Sequence, residues 1–400
     1  MNYLSDRINL LAESETLAMT RRSRELRAQG FDVINLSIGE PDFDTPDYVK
    51  KAAKDAIDQN FSHYTPVPGY PELRQAIANK LKRDNGLDYK AEQIVVSTGA
   101  KQSLANAILC LVNPGEEVLI PAPYWVSYKE MIKLAGAKGV FIEGGIQTDF
   151  KVTPEQIEAA ITPETKLFMF SSPCNPSGTV YSFDELKAFA DVFARHPQVF
   201  IISDEIYENI NFIGKHHSIA SFENLRDRVI VINGLSKGFA MTGWRLGYMA
   251  ANSEIAKACD KLQGQITSGA CSITQRAAIV AMNTDPAEST DINMMVEAFR
   301  YRRDLAISLF REVPGIRLNV PEGAFYLFPE VTAYFGKSTG DRIILSGSDL
   351  CDYLLDTAFV AIVPGSAFGT PDCIRISYAV SEDTLREAIK RISSALSNLK

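Results

Sequence analysis

In the stretch Gly234-Leu235-Ser236-Lys237 one lysine sits in a tight turn directly after the apolar run VIVIN. Its amine is a nucleophile toward a carbonyl only when deprotonated, a state that desolvation or nearby positive charge favours. A lysine in a turn is ordinarily a solvated surface group. Here the neighbouring residue types argue for a Schiff base at Lys237. Asp204 ends the apolar run VFIIS, where a carboxylate is costly unless it meets a cation or hydrogen-bond donors. A protonated pyridine nitrogen would be such a cation; capping a following helix is the plainer alternative. Tyr207 and Asn175 can donate to a phenolic oxygen on the same ring. The turn Ser97-Thr98-Gly99-Ala100-Lys101 opens a helix, whose N–H groups and positive dipole end suit a phosphate. Ser236 and Arg245 can add a hydroxyl and a fork of donors to that phosphate. Trp125, in APYW, offers a flat face to a planar ring or a bulky side chain to the core.

These residues must be brought together by strands and turns. Six short runs rich in Val and Ile read as strands: QIVVST (93–98), EVLIP (117–121), KLFMFSSP (166–173), VFIISDE (199–205), RVIVIN (228–233) and RLGYMAA (245–251). Helical spacing lies between several of them, as in Leu104, Ala107, Ile108, Leu111 and in Phe183, Leu186, Phe189, Ala190, Phe193. The expectation is an α/β fold: a large domain with a mostly parallel, mixed central sheet flanked by helices, plus a smaller α+β domain. The large domain is expected at 45–290, and 1–44 with 291–400 form the small one, its N-terminal segment acting as a lid. Ligands of open α/β sheets collect beyond the carboxyl ends of the strands, and the polar residues above stand there.

Composition narrows the classes. A chain of 400 residues, 46% hydrophobic, can bury a large core and divide into two domains. A formal net charge of -8 argues against nucleic acid or an anionic membrane as partner. No apolar run is long enough to span a bilayer. The six cysteines, Cys110, Cys174, Cys259, Cys271, Cys351 and Cys373, are scattered, which fits a reducing compartment and gives no zinc spacing. A cytoplasmic location without a metal is expected.

In this order, SSPCNPSGTVY (171–181), SDEIYE (203–208), SKGFAMTGWRLGY (236–248) and CIRISYA (373–379) resemble the pyridoxal phosphate-dependent aminotransferases of class I/II, fold type I. The resemblance runs from NLSIGEPDFDTP (35–46) to the final helix. It implies that Lys237 holds pyridoxal phosphate as a Schiff base and moves the substrate proton. It also implies that Asp204 pairs with the ring nitrogen, Asn175 and Tyr207 contact the ring oxygen, and Trp125 stacks on the ring. Gly99, Ala100, Lys101, Ser236 and Arg245 would hold the phosphate. Tyr64 would reach the phosphate of a neighbouring subunit, which implies a homodimer with shared active sites. Arg375 would grip the substrate α-carboxylate, with the backbone at Gly39 closing over it.

The segment GAKQSLANAIL is similar to the bacterial aspartate aminotransferase subgroup, in which the lysine meets the distal carboxylate of a dicarboxylic substrate. Ser14 and Thr16, in AESETLAM, match the segment that folds over the pocket in that subgroup. The expected partners are therefore small amino acids and 2-oxo acids, with aspartate and 2-oxoglutarate first and prephenate as the alternative acceptor. The same fold also serves lyases, decarboxylases and synthases that break other bonds at Cα.

Overall fold

The computed structural model describes residues 3–340 and 342–400. Its centre is a seven-stranded sheet: β1 (Ile94–Ser97), β2 (Glu117–Ala122), β3 (Lys138–Glu143), β4 (Thr165–Ser171), β5 (Phe200–Asp204), β6 (Val229–Gly234) and β7 (Gly247–Ala250), in the order β1-β7-β6-β5-β4-β2-β3. Only β7 runs antiparallel to its neighbours. Six of these strands coincide with the apolar runs read from the sequence. The seventh, β3, escaped because it is an edge strand in which Ile142 is the one buried residue, so it carries no continuous apolar signal.

The strands are apolar throughout because both faces of the sheet are covered. Leu167 and Met169 of β4 join Leu104, Ile108 and Ile230 on one side, while Phe168 and Phe170 join Phe189, Phe193 and Val231 on the other. This is the two-residue alternation of a strand with a core on each face. The helices that matter for the site are α1 (Glu15–Ala28), α2 (Ala100–Leu111), α3 (Ser127–Leu134), α4 (Phe183–Arg195), α5 (Ser253–Ile266), α6 (Thr290–Arg311) and α7 (Glu382–Ser397). Of the predicted apolar stripes, Leu104, Ala107 and Ile108 of α2 and Leu186, Phe189, Ala190 and Phe193 of α4 are buried, whereas Leu111 is half-buried and Phe183, at the start of α4, is exposed.

A third core joins the two ends of the chain. Met19, Val33 and Leu36 pack with Phe299, Phe310, Phe325, Leu354, Ile376 and Ile389, and Ile34 pairs in parallel with Val360. Helix α6 spans both regions: Ile292 packs with the sheet core, whereas Met295, Phe299 and Phe310 pack in this third core. A small antiparallel sheet in it, Val363–Pro364, Ile374–Ser377 and Tyr326–Leu327, places Ser377 opposite Tyr326 and Arg375 opposite Val363. No helix among the described residues is long and apolar enough to cross a membrane.

Candidate active site

Parallel pairing sets the carboxyl ends of β4, β5 and β6 side by side, with Ser171 opposite Asp204 and Asp204 opposite Ile232. The loops that leave those ends, together with the start of α2, one face of α1 and the strand bearing Arg375, enclose a cavity of about 600 Å³. Ser14, Thr16, Gly39, Ala100, Lys101, Trp125, Asn175, Asp204, Tyr207, Ser236, Lys237, Arg245 and Arg375 all line it.

Lys237 Nζ donates to the Gly39 carbonyl oxygen at 2.5 Å. Burial lowers the amine's pKa to about 8; Arg375 and Arg245 push the same way, against Glu40 and Asp204. A substantial neutral fraction is thereby available near neutral pH, as a nucleophile or base requires. Asp204 is 4% exposed, and its carboxylate accepts from Tyr128 Oη at 2.7 Å and the Ile206 N–H at 3.3 Å. Burial raises its pKa to about 6, although both of those donors pull it down. No ion pair reaches Asp204 among the described residues. No helix follows it to be capped, so its two donors leave a buried anion lacking a cation.

The phosphate-binding candidates gather at the start of α2. Gly99 has φ 83° and a Cβ there would run into the Arg245 guanidinium, so glycine is required for that close approach. Gly99 is thus packed beneath Arg245 rather than on the cavity wall. Arg245 itself adopts a left-handed φ of 53° and donates to the Thr242 carbonyl at 2.8 Å. The Gln102 N–H donates to the Gly99 carbonyl at 3.0 Å, but those of Ala100 and Lys101 at the start of α2 have no acceptor one turn back, which leaves them, with the Ser236 hydroxyl, free for an anion.

Arg375 is 2% exposed and donates to Asn175 Oδ1 at 3.0 Å and the Ser37 carbonyl at 2.6 Å, while its Nε has no partner. Its guanidinium lies 4.6 Å from the Tyr326 ring centroid and 4.9 Å from that of Phe368. Burial lowers its pKa, yet a guanidinium remains charged, so a buried donor fork awaits an anion. The Tyr326 hydroxyl shares a 2.7 Å hydrogen bond with that of Tyr207, and a Cβ on Gly39 would strike it. Lys101 stands in the first turn of α2 with Nζ 4.9 Å from the Trp125 ring centroid, its pKa lowered by partial burial and by Arg245. Ser14 begins α1 without a side-chain capping bond, and Thr16 Oγ1 has no partner.

Tyr64 is 97% exposed and lies outside the cavity, beside a groove lined by 62–65 and 269–272. Cys174 is buried, with Sγ 3.6 Å from the Pro123 carbonyl, and burial raises its pKa, which makes it an inert thiol. Tyr128 and Tyr326 were not singled out from the sequence. Tyr128 follows Trp125 by three residues, a spacing that could have marked it; nothing around Tyr326 in EGAFYLF distinguishes it from core.

The donor set fits pyridoxal phosphate. An unpaired buried carboxylate suits a protonated ring nitrogen, a flat indole face suits the ring, and the N–H groups, hydroxyl and guanidinium at α2 suit its phosphate. Comparison with known proteins gives the same family. The description "Aminotransferase class I and II" matches residues 32–392. An aspartate/prephenate aminotransferase of Cereibacter sphaeroides is 48% identical over 402 residues, covering 100% of both chains. A bifunctional aspartate aminotransferase and glutamate/aspartate-prephenate aminotransferase of Petunia hybrida is 47% identical, over 99% of this chain and 83% of that one. The solved aspartate aminotransferase of Rhizobium meliloti superposes with a TM-score of 0.96 at 42% identity over 100% of both chains. That of Thermus thermophilus, solved with maleate, gives 0.92 at 38% identity over 99% of this chain and 100% of that one. With a half-buried lysine of lowered pKa sharing a cavity with an unpaired carboxylate and a buried arginine fork, and with relatives of this similarity along its whole length, the chain belongs to the class I and II aminotransferases.

Proposed function

We propose that this enzyme holds pyridoxal phosphate on Lys237 and transfers the amino group of L-aspartate to 2-oxoglutarate, giving oxaloacetate and L-glutamate. The observation that carries this reading is the pair of cations that share one cavity with Lys237: Arg375, deep and with a free Nε, and Lys101, at an exposed position without an anionic partner among the described residues. Two carboxylates of one substrate fit two such cations. The Thermus relative solved with maleate, a dicarboxylate, supports it. Prephenate as acceptor is the second reading, supported by the names of the Cereibacter and Petunia relatives.

Bound pyridoxal phosphate supplies an electron sink for the charge left when the substrate loses its Cα proton. The chain supplies the rest. Arg375 fixes the α-carboxylate and Lys101 the distal one, so that the Cα–H bond faces Lys237. Once the substrate amine has displaced it from the cofactor, the neutral Lys237 amine would take the proton from the substrate Cα and deliver it to the cofactor C4′ carbon, so that water can then release the 2-oxo acid. Asp204 stays ionised once a ring cation meets it, and Tyr128 holds it in place. Tyr207 and Asn175 offer donors to the ring oxygen, and Ser236, Arg245 and the start of α2 hold the phosphate.

The active form proposed is a cytoplasmic homodimer with shared sites. The almost fully exposed Tyr64 would reach a partner's phosphate, and a groove bordered by Thr98, Trp244, Arg245 and Cys271 opens beside this chain's own phosphate site. Unpaired cysteines support the reducing compartment. Residues 45–290 would form the cofactor domain, and 1–44 with 291–400 the small domain that closes on it.

The visible absorption spectrum of the loaded enzyme tests the function. Loss of the visible band on adding L-aspartate, and its return with 2-oxoglutarate, is the expected result. A band unaffected by aspartate and glutamate rejects the dicarboxylate reading, and its return with prephenate would add that acceptor.

A further inference from the structure

The chain reaches Ser14 and Thr16 through a stretch with almost no core of its own. Tyr3, Leu4, Ile8 and Leu10 are exposed, and the short helix Asp6–Asn9 buries none of its residues. Such a stretch must be held by polar contacts or it frays. Downstream of Thr16 the anchoring is secure: Met19 is buried in the third core, and Thr20 Oγ1 lies 3.3 Å from Ser37 Oγ. Upstream, two main-chain groups are held by the exposed side of α3. The Ala12 N–H donates to Glu130 Oε2 at 2.9 Å, and Lys133 Nζ donates to the Leu10 carbonyl at 3.2 Å. Lys133 also donates to Glu130 Oε1 at 2.9 Å, so both carboxylate oxygens are engaged. Arg21 of α1 also holds both oxygens of Glu13, in an exposed pair of the kind that contributes little, and Ser366 reaches Glu15 at 3.4 Å.

We infer that Glu130 and Lys133 form a latch that positions Ser14 and Thr16 at the cavity, and hence that they are positioning residues for substrate selection; this rests on the dicarboxylate reading above. Ala12 is two residues from Ser14, whose carbonyl accepts from the Ala18 N–H of α1 at 2.9 Å, so losing the Glu130 contact leaves the approach to Ser14 held by α1 and the exposed Glu13 pair alone. The Thr16 hydroxyl has no partner within the chain, and that of Ser14 makes no capping bond. Their placement therefore serves something outside the chain. On its buried side the same helix carries the Tyr128 hydroxyl to Asp204. One rigid element thus fixes both the cofactor carboxylate and the substrate-side segment.

The test compares the holoenzyme with Glu130→Ala and Glu130→Gln, the latter keeping an oxygen that can accept from Ala12. Glu130→Ala should raise KM for L-aspartate about tenfold, roughly the worth of one hydrogen bond to a charged group, with kcat and the visible cofactor absorption unchanged. Glu130→Gln should recover most of that loss. Without substrate, trypsin should cut after the exposed Arg7 about tenfold faster in Glu130→Ala, as expected when a local anchor is lost. The inference is overturned if cleavage at Arg7 is no faster, or if it is faster while KM stays at the wild-type value. Should aspartate prove not to be a substrate, the cleavage rate still decides whether the latch exists.

Discussion

Tyr128 on α3 and Asp204 at the end of β5 are joined by a 2.7 Å hydrogen bond in the protein interior, and the carboxylate has no cation to complete the pair. Burial lifts the Asp204 pKa from 3.8 to about 6. Between those pH values the folded state binds more protons than the unfolded one, so stability falls as pH rises through the window. Cofactor-free Asp204→Asn should therefore be more stable than cofactor-free wild type at pH 8, by about 2 to 3 kcal/mol, and equal to it near pH 4. Thermal unfolding at the two pH values checks this. Loss of stability at pH 8 would mean that the carboxylate is well satisfied without a ring cation.

Lys237→Ala should lower aminotransfer by at least about a thousandfold, because in the proposed mechanism one group serves as attachment point and base. Lys237→Arg should not restore it, since a guanidinium is not deprotonated near neutral pH. Turnover together with the visible band of the loaded protein reads the effect; substantial residual turnover in either variant would move the base elsewhere.

Arg375→Ala should reduce kcat/KM by about 100- to 1000-fold for every amino acid tried, as expected for a buried fork on a carboxylate. Lys101→Ala, at an exposed position, should cost about tenfold with aspartate and nothing with alanine. Aspartate turnover that survives Lys101→Ala intact while Arg375→Ala abolishes it would remove Lys101 from the distal carboxylate.

Below the sheet ends lies a second buried cluster. His216 Nε2 is 3.0 Å from Glu205 Oε2, and Lys80 is paired with Glu208. Burial alone would lower the His216 pKa, but Glu205 and Glu208 outweigh it and Lys80 and raise it above 6.5. The stabilisation is thus complete below pH 6.5 and fades as pH rises through the folded-state pKa. His216→Gln should destabilise by about 1 to 3 kcal/mol at pH 6 and progressively less at alkaline pH, as read by chemical denaturation. An equal loss at pH 6 and pH 10 would show that packing, rather than charge, is what the ring supplies.

Much of this site could be read from the chain because its groups stand directly after apolar strands. Asp204 and Lys237 follow runs of Ile and Val whose strand character is local, and the resemblance supplied their roles. What could not be read are contacts made across distance. Tyr128 looks like one more aromatic in APYWVSY until α3 turns it onto Asp204. Tyr326 acquires its place only when a strand of the third core sets it beside Arg375 and Tyr207. Strand β3 was missed for the converse reason, since an edge that stays wet needs no apolar run.

The pairing of Ile34 with Val360, and of Met19 and Leu36 with Phe325 and Ile389, also bears on the protein's birth. Residues 19–36 are synthesised long before these partners, which all lie beyond residue 290. The sheet and the turn at Gly99 can be complete while Met19 of α1 still lacks its partners, which leaves that segment open to chaperones and proteases. A chain stopped at residue 290 could thus possess Lys237, Asp204 and Lys101 and still lack the buried fork proposed for the α-carboxylate, because Arg375 lies beyond that point.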